Sequence, residues 1–172
     1  MRLIRIFLSW LSILLLIGAC ASAPPSGSGS RDEVSRLADG IMALGPDIDP
    51  EEAQRAARVA LFHPLELRDA YGVTDPPLIH NMKVNSGLRP RGLCWHWADD
   101  MQSRLQQEQF KTLRLHRAIA NSDNAFRIEH STVIISHLSG TMQEGMVLDP
   151  WRYGGTLYWS EVTKDEKYVW VT

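Results

Sequence analysis

CWHWADDMQSRLQQEQFKTLRLHRAI, residues 94–119, is the stretch in which the hydrophobic period of the chain changes. Up to about position 109 it predicts a helix, because its apolar side chains share one face, at Cys94, Trp97, Ala98, Met101 and Leu105. From Phe110 onward the pattern is typical of strands. Helices followed by a run of strands predict an α+β fold, with N-terminal helices packed on a mostly antiparallel sheet.

Two further helices are expected on the N-terminal side. Residues 32–44 have helical spacing and end at a Gly-Pro pair. Asp49 can serve as the N-cap of the next helix, with proline at its first position and Glu52 completing a capping box. We expect that helix to reach about Tyr71, with Pro64 kinking or breaking it. Residues 73–91 are rich in proline and predict irregular structure.

The C-terminal half predicts five strands separated by turn signals. Asn, Asp, Ser and Gly mark the turns at residues 121–124, 139–140 and 154–155. The strands are expected at residues 112–119, 125–137, 145–149, 156–159 and 168–171.

The N-terminus has the features of a secretion signal. Arg2 and Arg5 precede an apolar run at residues 6–17, which is too short to span a bilayer. Leu16-Ile17-Gly18-Ala19-Cys20 resembles the lipobox of bacterial lipoproteins, which implies cleavage before Cys20 and acylation of its thiol. An ordinary secretory signal or an uncleaved short anchor are the alternatives. By the same resemblance, Ala21 after the cysteine favours the outer membrane, with the protein facing the periplasm.

Composition then defines the domain plan. We divide the chain into a signal peptide (1–19), the lipidated Cys20 with a flexible tether (20–30), and a single domain (31–172). Loss of Arg2 and Arg5 with the signal lowers the formal net charge from −2 to −4. Because no block rich in Lys and Arg is present in the sequence, nucleic acid is not an expected partner.

Cys94 is the candidate nucleophile of a catalytic site. Only two cysteines occur, and lipidation of Cys20 would leave Cys94 without a disulfide partner in the chain. At the start of a helix, the positive end of the helix dipole favours thiolate over thiol. The alternative is a small buried core residue, which is a common environment for free cysteine.

A histidine and a carboxylate follow on predicted strands. Under strand alternation His130 shares a face with Ile128 and Ile134, which we expect to lie toward the helices, whereas His137 points to the other face. Asp149 ends the next strand and could meet His130 if the two strands are neighbours. Each residue alone is more commonly structural, the histidine in a core and the aspartate in a turn.

Three segments together resemble the transglutaminase-like branch of the papain-fold cysteine proteases. They are Gly92-Leu-Cys-Trp-His-Trp-Ala-Asp99, His130-Ser-Thr-Val-Ile-Ile135 and Val147-Leu-Asp-Pro-Trp151. The resemblance covers about residues 92–159 and implies a papain-like core. It also implies that Cys94 is the nucleophile, His130 the general base and later acid, and Asp149 the acceptor that orients His130. The Cys94 backbone N–H would be one oxyanion donor.

Further side chains are candidates near this site. Trp95, His96 and Trp151 are expected to wall or rim a substrate groove, with His96 pointing away from Cys94. Asn81 or Asn85 could supply a second oxyanion donor. His96 and Asp100 have the i,i+4 spacing of two metal ligands on a helix, but without recognisable further ligands we expect no metal, and no cofactor.

The sequence therefore leads to a hypothesis with two alternatives. The first is an envelope lipoprotein, anchored to the membrane through Cys20, that is a thiol hydrolase or acyltransferase. Its substrate would be an amide bond in a peptide, a protein or the cell wall, which covers proteases, amidases and transglutaminase-like enzymes. The alternatives are a non-catalytic binding domain on the same fold, and a structural lipoprotein domain in which Cys94 is an inert core thiol.

Overall fold

The computed structural model describes residues 30–124 and 126–172, so the predicted signal and Cys20 lie outside the described residues. Four helices come first: α1 (Arg31–Met42), α2 (Pro50–Tyr71), α3 (Pro77–Asn85) and α4 (Cys94–Gln106). Four strands follow: β1 (Leu113–Ala120), β2 (His130–His137), β3 (Met146–Tyr153) and β4 (Thr156–Glu161). The predicted α+β order is confirmed. None of the described helices is long and apolar enough to cross a bilayer.

Asp49 caps the start of α2 as predicted, whereas Glu52 does not. Asp49 Oδ1 accepts hydrogen bonds from the backbone N–H groups of Glu51 and Glu52, at 2.7 and 3.3 Å. The expected capping box is wrong, because the Glu52 carboxylate turns inward and accepts from Lys111 N–H and from Thr112, at 2.7–2.9 Å. Glu52 thus joins α2 to the start of β1, across about 60 residues of sequence.

The structure rules out a helix break at Pro64 and corrects one further expectation about proline. Pro64 lies inside α2, which continues without a break to Tyr71 and ends on Gly72 in the left-handed conformation (φ 64°). The region predicted to be irregular contains α3, whose first residue is Pro77. Proline at a first helical position lacks an N–H that would have no intrahelical partner there, so it starts α3 at little cost.

The strands form one antiparallel sheet in the order β1-β2-β3-β4. β2 begins at His130 rather than at residue 125, and β3 continues to Tyr153, past the predicted end at Asp149. The predicted fifth strand at residues 168–171 is wrong. That segment contributes a single bridge, between Ile119 and Val171.

The two faces of the sheet have different covers. Val133 and Ile135 lie in the main core with the apolar sides of α1, α2 and α4. Ile134 lies on the other face, in a smaller cluster that includes Trp170 of the C-terminal segment. His130 has the parity of Ile134, so our expectation that it faces the helices is wrong. It lies under the C-terminal segment, at the start of β2.

Candidate active site

Cys94 is the first residue of α4, as predicted, and is 8% exposed. It packs in a cluster with Tyr71, Trp97 and Trp151. Its Sγ lies 3.6 Å from the backbone carbonyl oxygen of Glu129, the residue just before β2. The N-terminus of α4 therefore meets the end of the sheet at the point where β2 begins.

Gly92 sets the direction in which the chain enters α4. Its φ of 126° is in the region that favours glycine, and a Cβ here would lie 2.3 Å from Nε2 of His80. His80 is buried, and its Nε2 donates to the carbonyl oxygen of Arg91 at 2.9 Å. The Gly92 carbonyl in turn accepts from the indole N–H of Trp97 at 2.9 Å. These contacts fix the loop that leads into Cys94.

His96 is not at the rim of a groove, which corrects the expectation. It is buried, and its Nδ1 accepts from the backbone N–H groups of Gly92 and Leu93, both at 3.2 Å. Burial lowers the pKa of His96, and the nearby Arg91 lowers it further. A neutral ring with an unprotonated Nδ1 is the form that this cap requires. His96 thus satisfies two N–H groups that would otherwise be unpaired at the start of α4.

His130 and Asp149 are brought together by the neighbouring strands β2 and β3. The His130 Nε2 donates to Asp149 Oδ2 at 2.7 Å, and the two residues are 1% and 0% exposed. Burial lowers the pKa of His130, but the hydrogen bond to Asp149 and the interaction with the Cys94 side chain outweigh it and raise the pKa to about 9. The Nδ1 has no formed hydrogen bond. The bond to Asp149 occupies the other ring nitrogen.

The buried Arg152 binds the Asp149 carboxylate. The Arg152 backbone N–H donates to Asp149 Oδ1 at 3.1 Å and its Nε to Oδ2 at 3.0 Å. The guanidinium also forms two hydrogen bonds to Asp165, at 3.1 and 2.7 Å. Sequence reasoning missed Arg152 and Asp165. The spacing of three residues from Asp149 was a weak signal for Arg152, whereas nothing local distinguishes Asp165.

Aromatic rings hold the imidazole in place. The centroid of the His130 ring is 4.7 Å from those of Trp151 and Tyr168, and 5.4 Å from that of Trp170. The Trp170 indole N–H donates to Asp165 at 2.9 Å, so this wall is tied to the Arg152 pair. Only a small rotation of the imidazole is compatible with such packing.

A cleft of about 630 Å³ opens beside His130. We call it the His130 cleft. Trp151 lines it, as predicted for a groove residue, whereas Trp95 is half exposed and stacks on His96. The residues of the cleft come from α3, from the segment before β2, from β3 and from the C-terminal segment: Pro76, Pro77, Leu78, Ile79, Asn121, Arg127, Ile128, His130, Trp151, Lys167 and Tyr168.

The remaining candidates are occupied in other ways. Asn81 Oδ1 accepts from the indole N–H of Trp151 at 3.1 Å, while Asn85 is exposed. Asp100 is bound by the Tyr71 hydroxyl and by Arg91 at 2.8 Å. Across residues 30–124 and 126–172, no group of three or more His, Cys, Asp or Glu side chains is arranged to hold a metal.

No family model matches the chain, and neither the curated proteins nor the solved structures contain a significant match. The interpretation of the site therefore depends on its own geometry.

Proposed function

We propose that this protein is a thiol hydrolase or acyltransferase that acts on an amide bond, with Cys94 as nucleophile, His130 as base and acid, and Asp149 as the orienting acceptor. The proposal includes the papain-like, transglutaminase-like core that the sequence resembles. The observation that carries it is the buried hydrogen bond between His130 and Asp149, together with the interaction of the His130 ring with the Cys94 side chain. Thiol catalysis requires a nucleophile, a base that exchanges protons with it, and an acceptor that orients the base.

The charge state of His130 suits this role. A pKa of about 9 keeps its ring protonated at neutral pH, and an imidazolium next to Cys94 stabilises the thiolate. The N-terminus of α4 adds a positive potential at the Cys94 sulfur.

The reaction follows from these groups. The Cys94 thiolate attacks the carbonyl carbon of the amide, a C–S bond forms, and the oxyanion accepts from the Cys94 backbone N–H. The His130 Nδ1–H then gives its proton to the leaving nitrogen as the C–N bond breaks, which leaves a thioester. Water or an amine attacks the thioester while Nδ1 takes up its proton, and the thiolate departs. Water gives hydrolysis and an amine gives acyl transfer.

A non-catalytic binding or structural domain is the second candidate, and one observation favours it. The Cys94 sulfur is 3.6 Å from the Glu129 carbonyl oxygen, which a neutral thiol can use as an acceptor. In that state Cys94 would be a core residue, and the His130–Asp149 pair would be structural.

Alkylation of Cys94 separates the two candidates. The full chain carrying Cys20→Ser has a single thiol, and we expect iodoacetamide to modify it readily at pH 6.5. His130→Ala should slow this reaction by at least about tenfold, because the imidazolium stabilises the thiolate. His137→Ala is the matched control, since His137 lies at the opposite end of β2 and interacts with Ser139. Equal rates in both variants, or a thiol that reacts only well above pH 8, would contradict the proposal.

The envelope location is a separate part of the proposal. It depends on the N-terminal sequence, in which Cys20 would carry the lipid and anchor the protein in the outer membrane facing the periplasm. Such a location would put the site next to peptide, protein and cell-wall amides.

A further inference from the structure

Part of the wall of the His130 cleft consists of exposed apolar side chains. On the α3 side, Leu78 and Ile79 are 52% and 45% exposed, and Ile128, which also lines the cleft, is 60% exposed. Large apolar side chains that cluster at this exposure around a concavity are typical of binding surfaces. The α3 side is therefore suited to an apolar side chain.

The charges of the cleft have one sign. Besides the His130 imidazolium, its charged side chains are Arg127 and Lys167, and no carboxylate is among the described residues that line it. Among the residues that the structure describes, neither cation forms an ion pair with a carboxylate, although Lys167 lies 5.4 Å from the Tyr168 ring. The whole chain has a formal net charge of −2, so two unpaired cations beside the site are not a consequence of a basic protein.

The cleft also borders one of the reacting groups. His130 and Trp151 line it, and Trp151 belongs with Cys94 to one buried cluster, although Cys94 itself is not among the lining residues. A ligand in the cleft would thus lie next to the imidazole. A volume of about 630 Å³ is in the range of pockets that hold a small molecule or a few residues of peptide.

We propose that the His130 cleft binds an acidic peptide, in which a carboxylate side chain pairs with Arg127 and Lys167 while an adjacent apolar side chain contacts Leu78 and Ile79. This inference rests on the proposed function and names the class of amide that the site takes. Charge complementarity supplies the discrimination, and the apolar wall supplies most of the contact area.

Thiol-reactive peptide probes test the proposal directly. Peptidyl acyloxymethyl ketones form a C–S bond with a thiolate and release a carboxylate. We would compare Leu-Glu and Glu-Leu probes with their Leu-Gln and Gln-Leu counterparts on the full chain carrying Cys20→Ser, at low ionic strength. Each rate is divided by the iodoacetamide rate of the same variant, so that changes in thiol reactivity cancel.

We expect at least one acidic probe to label Cys94 about tenfold faster than its amide counterpart, because two exposed charge pairs each add a modest factor. Arg127→Gln with Lys167→Gln should abolish the preference. Arg36→Gln with Arg58→Gln removes the same charge from exposed positions of α1 and α2 and should retain it.

The two proposals fail in different ways. Equal labelling by acidic and amide probes, with His130-dependent alkylation intact, would overturn the acidic specificity and leave the catalytic site standing. A preference that survives Arg127→Gln with Lys167→Gln would overturn the assignment to this cleft. A Cys94 that reacts with neither the probes nor iodoacetamide at pH 6.5 would overturn the proposed function itself.

Discussion

At the scale of single residues, the orientation of the His130 ring is set by the side chains around it. It donates to Asp149, packs between aromatic rings, and has its second nitrogen free of hydrogen bonds. Asp149 in turn accepts from Arg152, which also binds Asp165. Arg152 thereby gives the buried Asp149 carboxylate a second cationic partner beside His130. Arg152 is thus a positioning residue, one step removed from the reacting atoms.

The raised pKa of His130 makes stability depend on pH. Its pKa is about 9 in the folded protein, against about 6.5 in an unfolded chain. The folded state therefore binds this proton more tightly than the unfolded state does. The resulting contribution to the free energy of unfolding is complete below about pH 6.5 and is lost as the pH rises through about 9. We expect urea denaturation to give a free energy of unfolding that falls over this range by up to about 3 kcal/mol.

His130→Asn should flatten that decline. His137→Asn is the control and should keep it, because His137 lies far along β2 from Asp149. A decline of the same size in the His130→Asn variant would show that other groups cause it.

At the scale of elements, the turn into α4 is the part of the fold on which the site depends most. Gly92 has a φ of 126° and contacts the buried His80 so closely that a Cβ does not fit. His96 then caps the same turn from inside the helix. Cys94 is the first residue of α4, so a change in the backbone conformation of the preceding turn would displace its sulfur.

Gly92→Ala should therefore destabilise the protein by about 3 kcal/mol or more, through backbone strain combined with the clash at His80. Gly87→Ala is the matched control. Gly87 also has a positive φ, 77°, but a Cβ there would have no neighbour within 4 Å, so only the strain of about 1 kcal/mol is expected. Thermal denaturation of both variants measures the difference, and similar losses would show that the contact with His80 has no energetic weight.

At the scale of the whole molecule, helices α1, α2 and α4 cover one face of the sheet and the C-terminal segment covers the other, and the site forms where α4 meets the sheet end. Under the proposal, the described domain is attached to a membrane by the lipid on Cys20. The tether at residues 20–30 is small and polar, so it would let the His130 cleft reach substrates near the membrane surface.

Cys20→Ser should abolish metabolic labelling with palmitate and release the protein from the membrane fraction, because the mutated residue is the only proposed attachment point. Ser22→Ala, two residues away, is expected to change neither. Unchanged labelling and membrane retention of the Cys20→Ser variant would disprove the lipoprotein assignment, although the catalytic proposal would survive it.

The order of helices and strands, the cap at Asp49 and the position of Cys94 at a helix start were all predictable from the sequence. Each of these depends on neighbours within a few residues, through hydrophobic period and local hydrogen bonding. The parity of His130 relative to Ile134 was predictable for the same reason. Helix α3 was missed, because proline was interpreted as a breaker where it starts a helix.

Only the tertiary structure decided which cover each face of the sheet receives, and so placed His130 under the C-terminal segment instead of the helices. It also decided that Glu52 binds Thr112, and that Asp165 meets Arg152. Local period specifies that a face is buried but not what buries it. Partners distant in sequence are chosen by the packing of whole elements, where burying a charge without its counterpart would cost several kcal/mol.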